Sequence, residues 1–266
     1  MNKIFSIFAI AALMLFSVGC DKIDNPHKPY TPTGGEKTVL IKDFTGVRCV
    51  NCPTAAETAH ELQHRLGEDR IFILSVHAGF LAQPMGQFPD FLTEEGTEWY
   101  GNHDSNPLFA VDHVALTEGN TLNIDQIDTP VSDALAETQL WDINIDNTYD
   151  ETTRRLSVEN RFTSTGDGDG SYYATVCLVE DSIVGWQVIP GGVDREYVFR
   201  NVFRGTLNGA EGELVSNGPF FIEDSFVTNC SMVLDSTYNA DQCYIMTYVY
   251  DKTDGKIMQT AMEKIK

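Results

Sequence analysis

Two cysteines three positions apart, at the junction between an apolar strand and a helix, constrain this chain most. The motif Cys49-Val-Asn-Cys52 follows a short apolar run at residues 38–44. It precedes residues 53–66, where small and apolar side chains recur at helical spacing until Gly67 ends the pattern. Residues 70–76 are continuously apolar, as in a strand that is buried on both faces. A CxxC motif in such a βαβ pattern predicts a thiol–disulfide site.

The segments that follow extend the α/β pattern to residue 139. Residues 89–100 and 129–139 are predicted helices. Residues 108–116 and 121–124 are predicted to form a hairpin around the turn at 118–120. The expected element order of residues 37–139 is therefore β-α-β-α-β-β-α.

From residue 140 the pattern changes to short segments of alternating polar and apolar residues. Such segments occupy residues 141–148, 155–162, 171–179, 220–227 and 243–250, and a last strand starts at Lys256. Short strands separated by turn signals predict an antiparallel β-sandwich, immunoglobulin-like in type, over residues 140–266. The fold class expected for the whole chain is an α/β domain followed by this all-β domain.

The N-terminus predicts export and a lipid anchor. Lys3 precedes an apolar run at residues 4–16, too short for a stable membrane span, so residues 1–19 are a predicted signal peptide. Residues 17–20, Ser-Val-Gly-Cys, resemble a lipobox, which makes Cys20 the predicted site of acylation by chains such as palmitate. The alternative is an ordinary signal peptide in which Cys20 is unmodified. Residues 20–36 are polar and proline-rich and predict a flexible tether.

The charge of the chain limits its partners. The formal net charge is −21, and only one lysine and no acid lie in the first 19 residues. Because phosphates repel a surface this acidic, no nucleic-acid partner is expected, and contact with the membrane is expected through the lipid on Cys20. Nothing in the sequence calls for a cofactor.

The first predicted domain resembles thioredoxin. The element order matches, Asp43 stands six residues before Cys49 as the buried aspartate of thioredoxins does, and Asn106-Pro107 stands where they place a cis-proline. This resemblance implies that Asp43 assists proton transfer at Cys52 and that Pro107 shapes a substrate groove. The helix N-terminus and Arg48 would favour a thiolate at Cys49.

Two interpretations of the CxxC motif remain open. In an active redox site, Cys49 is the exposed nucleophile and Cys52 resolves the mixed disulfide. In the other interpretation, the pair is a static disulfide that braces the loop of an exported protein. Arg48 and the Val-Asn pair between the cysteines depart from the usual Trp and Gly-Pro of thioredoxins, which favours the second interpretation. Among the remaining cysteines, a bridge between Cys230 and Cys243 is possible, with Cys177 left over.

The helix predicted at residues 53–66 also carries a sequence that resembles a zinc-binding motif. His60-Glu-Leu-Gln-His64 fits H-E-x-x-H, in which two histidines bind zinc and the glutamate acts as general base. The third histidine of one zinc family would fall at Arg70. Because the segment is also the solvent-facing side of the helix after the CxxC motif, solvated polar residues are favoured and no metal site is expected.

Weaker patterns have both a bland and a functional interpretation. His77 and His113 either tune the CxxC site or are simply polar residues at strand ends. The second interpretation is favoured for both. Residues 167–171 resemble part of a calcium loop, but a hairpin turn is favoured because the downstream glutamate is missing. Six aromatic residues form either a ligand-binding patch or part of the sandwich core. The core is the favoured interpretation. The six residues are Trp186, Tyr197, Phe199, Phe203, Phe220 and Phe221.

The stretches 40–53, 75–79 and 197–205 resemble the 28-kDa outer-membrane lipoprotein family of Bacteroidetes. Where family members tend to have Asn-Arg after the post-proline strand, this chain has Asp112-His113. The resemblance implies an outer-membrane lipoprotein of the cell envelope, with a thioredoxin-like domain followed by an all-β domain. It implies a surface adhesin or receptor with an unknown protein or glycan ligand. The alternative is a membrane-tethered thiol–disulfide oxidoreductase that uses Cys49 and Cys52.

Overall fold

The computed structural model describes residues 35–266, so the signal peptide and Cys20 lie outside the described residues. The chain begins with β1 (Val39–Thr45), α1 (Cys52–Leu66) and β2 (Ile71–His77). β1 and β2 pair in parallel along their whole length, and both are almost entirely buried. Burial explains the apolar run of β2, and the parallel pairing on either side of α1 confirms the predicted βαβ unit.

The rest of the first half is shorter in its elements than predicted. It contains α2 (Glu94–Tyr100), β3 (Leu108–Val111) and α3 (Asp128–Leu135), with 3₁₀ helices at Phe80–Ala82 and Ile124–Gln126. α2 starts late because the Thr93 hydroxyl accepts a hydrogen bond from the Gly96 amide and caps the helix there. β3 pairs antiparallel with β1. The predicted hairpin partner of β3 is wrong, since residues 121–124 contribute only an isolated bridge to Phe109.

The second half is built from strands. They are β4 (Trp141–Asp150), β5 (Arg155–Ser164), β6 (Gly168–Glu180), β7 (Ile183–Ile189), β8 (Gly192–Phe199), β9 (Val202–Thr206), β10 (Glu213–Phe220), β11 (Ser225–Val233), β12 (Cys243–Asp251) and β13 (Ile257–Lys264), with a 3₁₀ helix at Ala240–Gln242. The strand predicted at 220–227 is wrong, because a turn closed by Asp224 separates β10 from β11. β7, β8 and β9 were not predicted.

One large sheet crosses both halves of the chain. Its eight strands run β13-β12-β6-β9-β2-β1-β3, with β10 also on β6. Ser75 of β2 bridges Val202 of β9, so β2 is an interior strand and the strands of residues 37–139 do not form a sheet of their own. The Ile257 amide of β13 donates to the carbonyl of Asp112, which follows β3. This bond joins the two edge strands of the sheet at one corner. The division into domains 37–139 and 140–266 stays a prediction.

Two smaller sheets complete the fold. β11, β5 and β4 form a three-stranded antiparallel sheet, and β7 and β8 form a separate hairpin. Leu156 and Val158 of β5 pack against Val176 and Leu178 of β6, so the three-stranded sheet covers one face of the large one. Residues 165–167 connect β5 of the three-stranded sheet to β6 of the large sheet. Because β5 and β6 do not pair, the hairpin turn predicted at residues 167–171 is wrong. Within residues 35–266, no helix is long and apolar enough to cross a bilayer.

Candidate functional site

The predicted bond between Cys49 and Cys52 is present at the start of α1. The two Cα atoms are 5.4 Å apart. Only 1% of Cys49 and 2% of Cys52 is exposed to solvent. The expectation that Cys49 is an exposed sulfur is therefore wrong.

The loop before the disulfide is fixed from one side by the 3₁₀ helix at Phe80–Ala82. The Arg48 amide donates to the Leu81 carbonyl at 2.9 Å. The Arg48 guanidinium donates to the Phe80 carbonyl and lies 4.8 Å from the centre of the Phe80 ring. Arg48 thus has a structural role in holding this loop.

The β7–β8 hairpin covers the loop from the other side. The Val188 amide donates to the Val47 carbonyl at 3.0 Å. The buried side-chain amide of Gln187 donates to the carbonyls of Cys49, at 3.0 Å, and Gly46, at 3.4 Å. Because β7 and β8 come from the far half of the chain, no local pattern around the CxxC motif could have revealed this cover.

Asp43 and Pro107 are the other two residues that the sequence predicts for a thiol site. Asp43 is buried, its Oδ1 atom has no hydrogen-bond partner, and burial raises its pKa to about 7. The Asn106–Pro107 bond is cis, and the Asn106 side-chain amide donates to the Phe44 carbonyl at the end of β1. Asp43 and Cys52 line one cavity, whose described lining residues do not include Cys49 or Pro107.

The two histidines have different surroundings. His77 is the last residue of β2 and lines the cavity with Cys52, in edge contact with Phe91 and Phe199. Burial and nearby Arg204 lower the His77 pKa to about 3. His113 instead bridges to Lys256 at the corner of the large sheet, and burial lowers its pKa. Of these two histidines, His77 lines the cavity beside the disulfide, as does His60 of α1.

The zinc motif and the free cysteines do not assemble into sites. His60 contacts Gln63 on α1. The exposed His64 contacts the exposed Glu68, which follows the end of α1. Across residues 35–266, no three His, Cys, Asp or Glu side chains gather as metal ligands. Cys230 and Cys243 are both free, as is Cys177, so the possible second bridge does not form.

Half of the predicted aromatic set is core. Phe199, Phe203 and Phe220 are buried, while Phe221 is exposed in the turn after β10. Tyr197 and Phe199, however, also form part of the cavity wall. Sequence alone gave no sign of this, because their strand β8 was not predicted.

Comparison with known proteins identifies the family. Residues 110–266, more than half of the chain, match the model of the family described as outer membrane protein Omp28. The chain belongs to the Omp28 family. This confirms the resemblance seen in the sequence and places the protein in the outer membrane of the cell envelope.

Solved structures extend the comparison beyond the Omp28 match. HBP35 of Porphyromonas gingivalis shares the overall fold at 14% identity, with a TM-score of 0.66 over 86% of this chain and 76% of that one. A domain of the outer membrane lipoprotein Omp28 from Porphyromonas gingivalis is 19% identical, over 47% of this chain and 95% of that one, with a TM-score of 0.31. No curated protein matches the sequence significantly.

Proposed function

We propose that this Omp28-family protein is a lipid-anchored binding lipoprotein, an adhesin or receptor, in which the Cys49–Cys52 disulfide is a structural brace. One observation carries the proposal: both cysteines are buried, and Gln187 of the β7–β8 hairpin is bonded to the Cys49 carbonyl over them. A dithiol enzyme must expose its nucleophilic sulfur to a second protein. A closed and covered disulfide instead stiffens the loop that carries it.

The proposal includes a thioredoxin-like scaffold over residues 37–139. The parallel β1–α1–β2 unit, antiparallel β3, the CxxC motif at the start of α1 and cis-Pro107 all support it. The packing of the three-stranded sheet on the large sheet supports a sandwich over residues 140–266. In this proposal Cys20 carries the lipid, residues 20–36 are the tether, and the ligand is a protein or glycan.

An insulin-reduction assay and a reduction potential separate a structural disulfide from an enzyme. We expect the purified full chain to catalyse insulin reduction by dithiothreitol no faster than its Cys49→Ser variant does. We also expect a Cys49–Cys52 reduction potential below about −300 mV, as for structural disulfides. Catalysis that Cys49→Ser abolishes would overturn the brace.

Binding and anchoring are tested separately from redox chemistry. We expect metabolic labelling with a palmitate analogue to mark the wild-type chain and not Cys20→Ala.

The full chain in detergent should bind members of an array of immobilised glycans and matrix proteins, and the Cys49→Ser/Cys52→Ser variant should bind the same members when folded. Binding to no member of the array would contradict the adhesin proposal.

A membrane-tethered oxidoreductase is the second candidate, favoured by one specific arrangement. Cys52 and the buried carboxyl of Asp43 line the same cavity. In this mechanism the Cys49 thiolate attacks a substrate disulfide and releases one substrate thiolate. Asp43 accepts the Cys52 proton, and the Cys52 sulfur attacks Cys49 to release the second. The pair is thereby oxidised and the substrate reduced. The hairpin would first have to leave Cys49.

A further inference from the structure

A cavity of about 430 Å³ lies beside the disulfide, within the size range of small-molecule sites. Its floor is the carboxyl end of β1 and β2, one wall is the first turn of α1, and the opposite wall is residues 197–200 of β8 and the link after it. Ligands of α/β proteins commonly bind outside the carboxyl ends of parallel strands, where the strands stop and helices begin.

The floor becomes polar where the strands pass the start of α1. Ile41 and Ile73 face the core under α1, and two residues later the same face carries Asp43 and its neighbour Ser75 in the parallel register. The next pair on that face is Thr45 and His77. Four adjacent polar side chains therefore line the floor, each placed by the strand alternation.

Two of these polar groups are buried without a partner. The Oδ1 atom of Asp43 and the Nδ1 atom of His77 have no hydrogen bond within the described chain, and both residues are at least 98% buried. Leaving a buried polar atom unpaired is unfavourable, and such atoms call for an explanation. Both side chains line the cavity, so a bound molecule there can reach polar atoms of the Asp43 carboxyl and the His77 ring other than these two buried ones.

The electrostatics of the floor favour an uncharged molecule. Burial keeps the Asp43 carboxyl protonated up to a pKa of about 7, and burial with Arg204 holds His77 neutral above a pKa of about 3. A buried ionic group on the ligand would find no opposite charge there, which is costly. At the mouth, Glu57 and Arg200 are of opposite sign. The aromatic wall of Tyr197 and Phe199 suits a flat, apolar body.

We propose that this cavity binds a small uncharged molecule with a flat apolar body and an adjacent hydrogen-bond acceptor and donor, as in a carboxamide. The carboxamide oxygen accepts from the Asp43 carboxyl, and its N–H group donates to the imidazole of His77. This goes beyond the proposed function by assigning a separate small-molecule site, and it rests on that function only in that the neighbouring disulfide stays closed.

Three probes of nearly equal shape test the charge requirement. Benzamide is neutral, benzoate is an anion and benzamidine is a cation at pH 6.5. We expect titration calorimetry on the oxidised full chain to show benzamide binding at least tenfold more tightly than either of the other two. Equal binding of all three, or tighter binding of a charged probe, would overturn the proposal.

Variants test the residues. Asp43→Leu and His77→Phe should each weaken benzamide binding at least tenfold. Thr228→Val, which removes another buried and unpaired hydroxyl on β11 away from the cavity, should leave it unchanged. Unchanged affinity in Asp43→Leu would contradict the site.

A measurement on the wild type covers the case in which a variant fails to fold. In ¹⁵N spectra of the full chain, benzamide should shift the amides of Asp43, Ser75 and His77 and leave that of Thr228 unmoved. Shifts confined to other regions would overturn the proposal. Because this experiment uses only the oxidised protein, it can fail while the insulin assay still supports the brace, and the reverse is equally possible.

Discussion

Two neighbouring residues of β1, Lys42 and Asp43, are buried ionisable groups that do not meet. Successive side chains of a strand point to opposite faces, so Lys42 enters the core shared with Trp99 and Tyr248, and Asp43 enters the cavity beside α1. The Lys42 ammonium lies 3.6 Å from the centre of the Trp99 ring and donates to the Val114 carbonyl at 2.7 Å. Each group is thus buried without an opposite charge of its own.

Lys42 should make stability rise with pH above neutrality. Burial lowers its pKa from 10.5 to about 7, although nearby Cys177 opposes the change. Between these values the unfolded chain holds a proton that the folded chain has lost, so the free energy of unfolding increases with pH, by about 1 kcal/mol per pH unit. Urea titrations at pH 7.5 and 8.5 should show this gain in the wild type and in the control Lys252→Met, but not in Lys42→Met. Parallel behaviour of Lys42→Met and the wild type would contradict it.

Asp43 should have the opposite effect at acid pH. Burial raises its pKa from 3.8 to about 7, so the folded chain keeps a proton that the unfolded chain loses as pH rises through this window. The free energy of unfolding of the wild type should therefore fall by about 1 kcal/mol per pH unit between pH 4.5 and 6.5, relative to Asp43→Asn. The comparison is made by urea denaturation, with Asp128→Asn as an exposed control. A constant difference between wild type and Asp43→Asn would rule this out.

At the scale of elements, the β7–β8 hairpin is the structure that separates the disulfide from solvent. It belongs to neither larger sheet and is attached over the loop by hydrogen bonds from Gln187 and Val188. Phe199 of β8 packs with Val47 and Phe91 in a small apolar cluster. We expect opening of this contact to make the sulfurs more accessible to reductant.

Removing the Gln187 amide should expose the disulfide. Gln187→Ala leaves the carbonyls of Gly46 and Cys49 without their donor, which weakens the closed hairpin. We expect dithiothreitol to reduce Cys49–Cys52 at least tenfold faster, as measured by timed alkylation and peptide mass spectrometry. Gln259→Ala, which alters a buried glutamine on β13, is the control. An unchanged rate in Gln187→Ala would show that the hairpin does not limit access.

The loop itself tolerates no side chain at Gly46. A Cβ atom there would lie 2.6 Å from the carbonyl carbon of Leu81 and 2.8 Å from the Ala82 amide nitrogen, both backbone atoms that cannot rotate away. We expect Gly46→Ala to lower the free energy of unfolding by about 1–3 kcal/mol in urea titrations. Gly119→Ala, where a Cβ meets open space, should have little effect. Equal stability of the two variants would show that the backbone shifts freely.

At the scale of the whole molecule, the two halves of the sequence share one core. Phe44 and Trp99 from the first half pack in a cluster with Phe203, Met246 and Tyr248 from the second. The Trp99 ring lies 4.9 Å from that of Phe203. Residues 37–139 alone would expose this apolar surface to water.

The shared core predicts that the halves unfold together. Urea denaturation of the full chain should give one transition, with coincident midpoints by circular dichroism and tryptophan fluorescence. A fragment of residues 37–139 contains Trp99 as its single tryptophan, so its emission should resemble that of solvent-exposed indole and show no cooperative transition. A fragment that folds with buried Trp99 would establish an independent domain.

The sequence determined what depends on near neighbours. Continuous apolar runs and helical spacing placed β1, α1 and β2 to within a residue or two, and the CxxC motif fixed the disulfide at the start of α1. The cis bond before Pro107 was implied by the resemblance to thioredoxin. The family too was evident in short stretches of sequence.

The tertiary structure alone decided the burial of Cys49, the size of the sheet and the cavity. Each depends on strands between residues 183 and 206, which were not predicted and which also contact residues more than a hundred positions away. Ser75 meets Val202, and Gln187 meets Cys49, because the fold brings them together. Pairing at such distances is set by the packing of the whole core, which no local periodicity encodes.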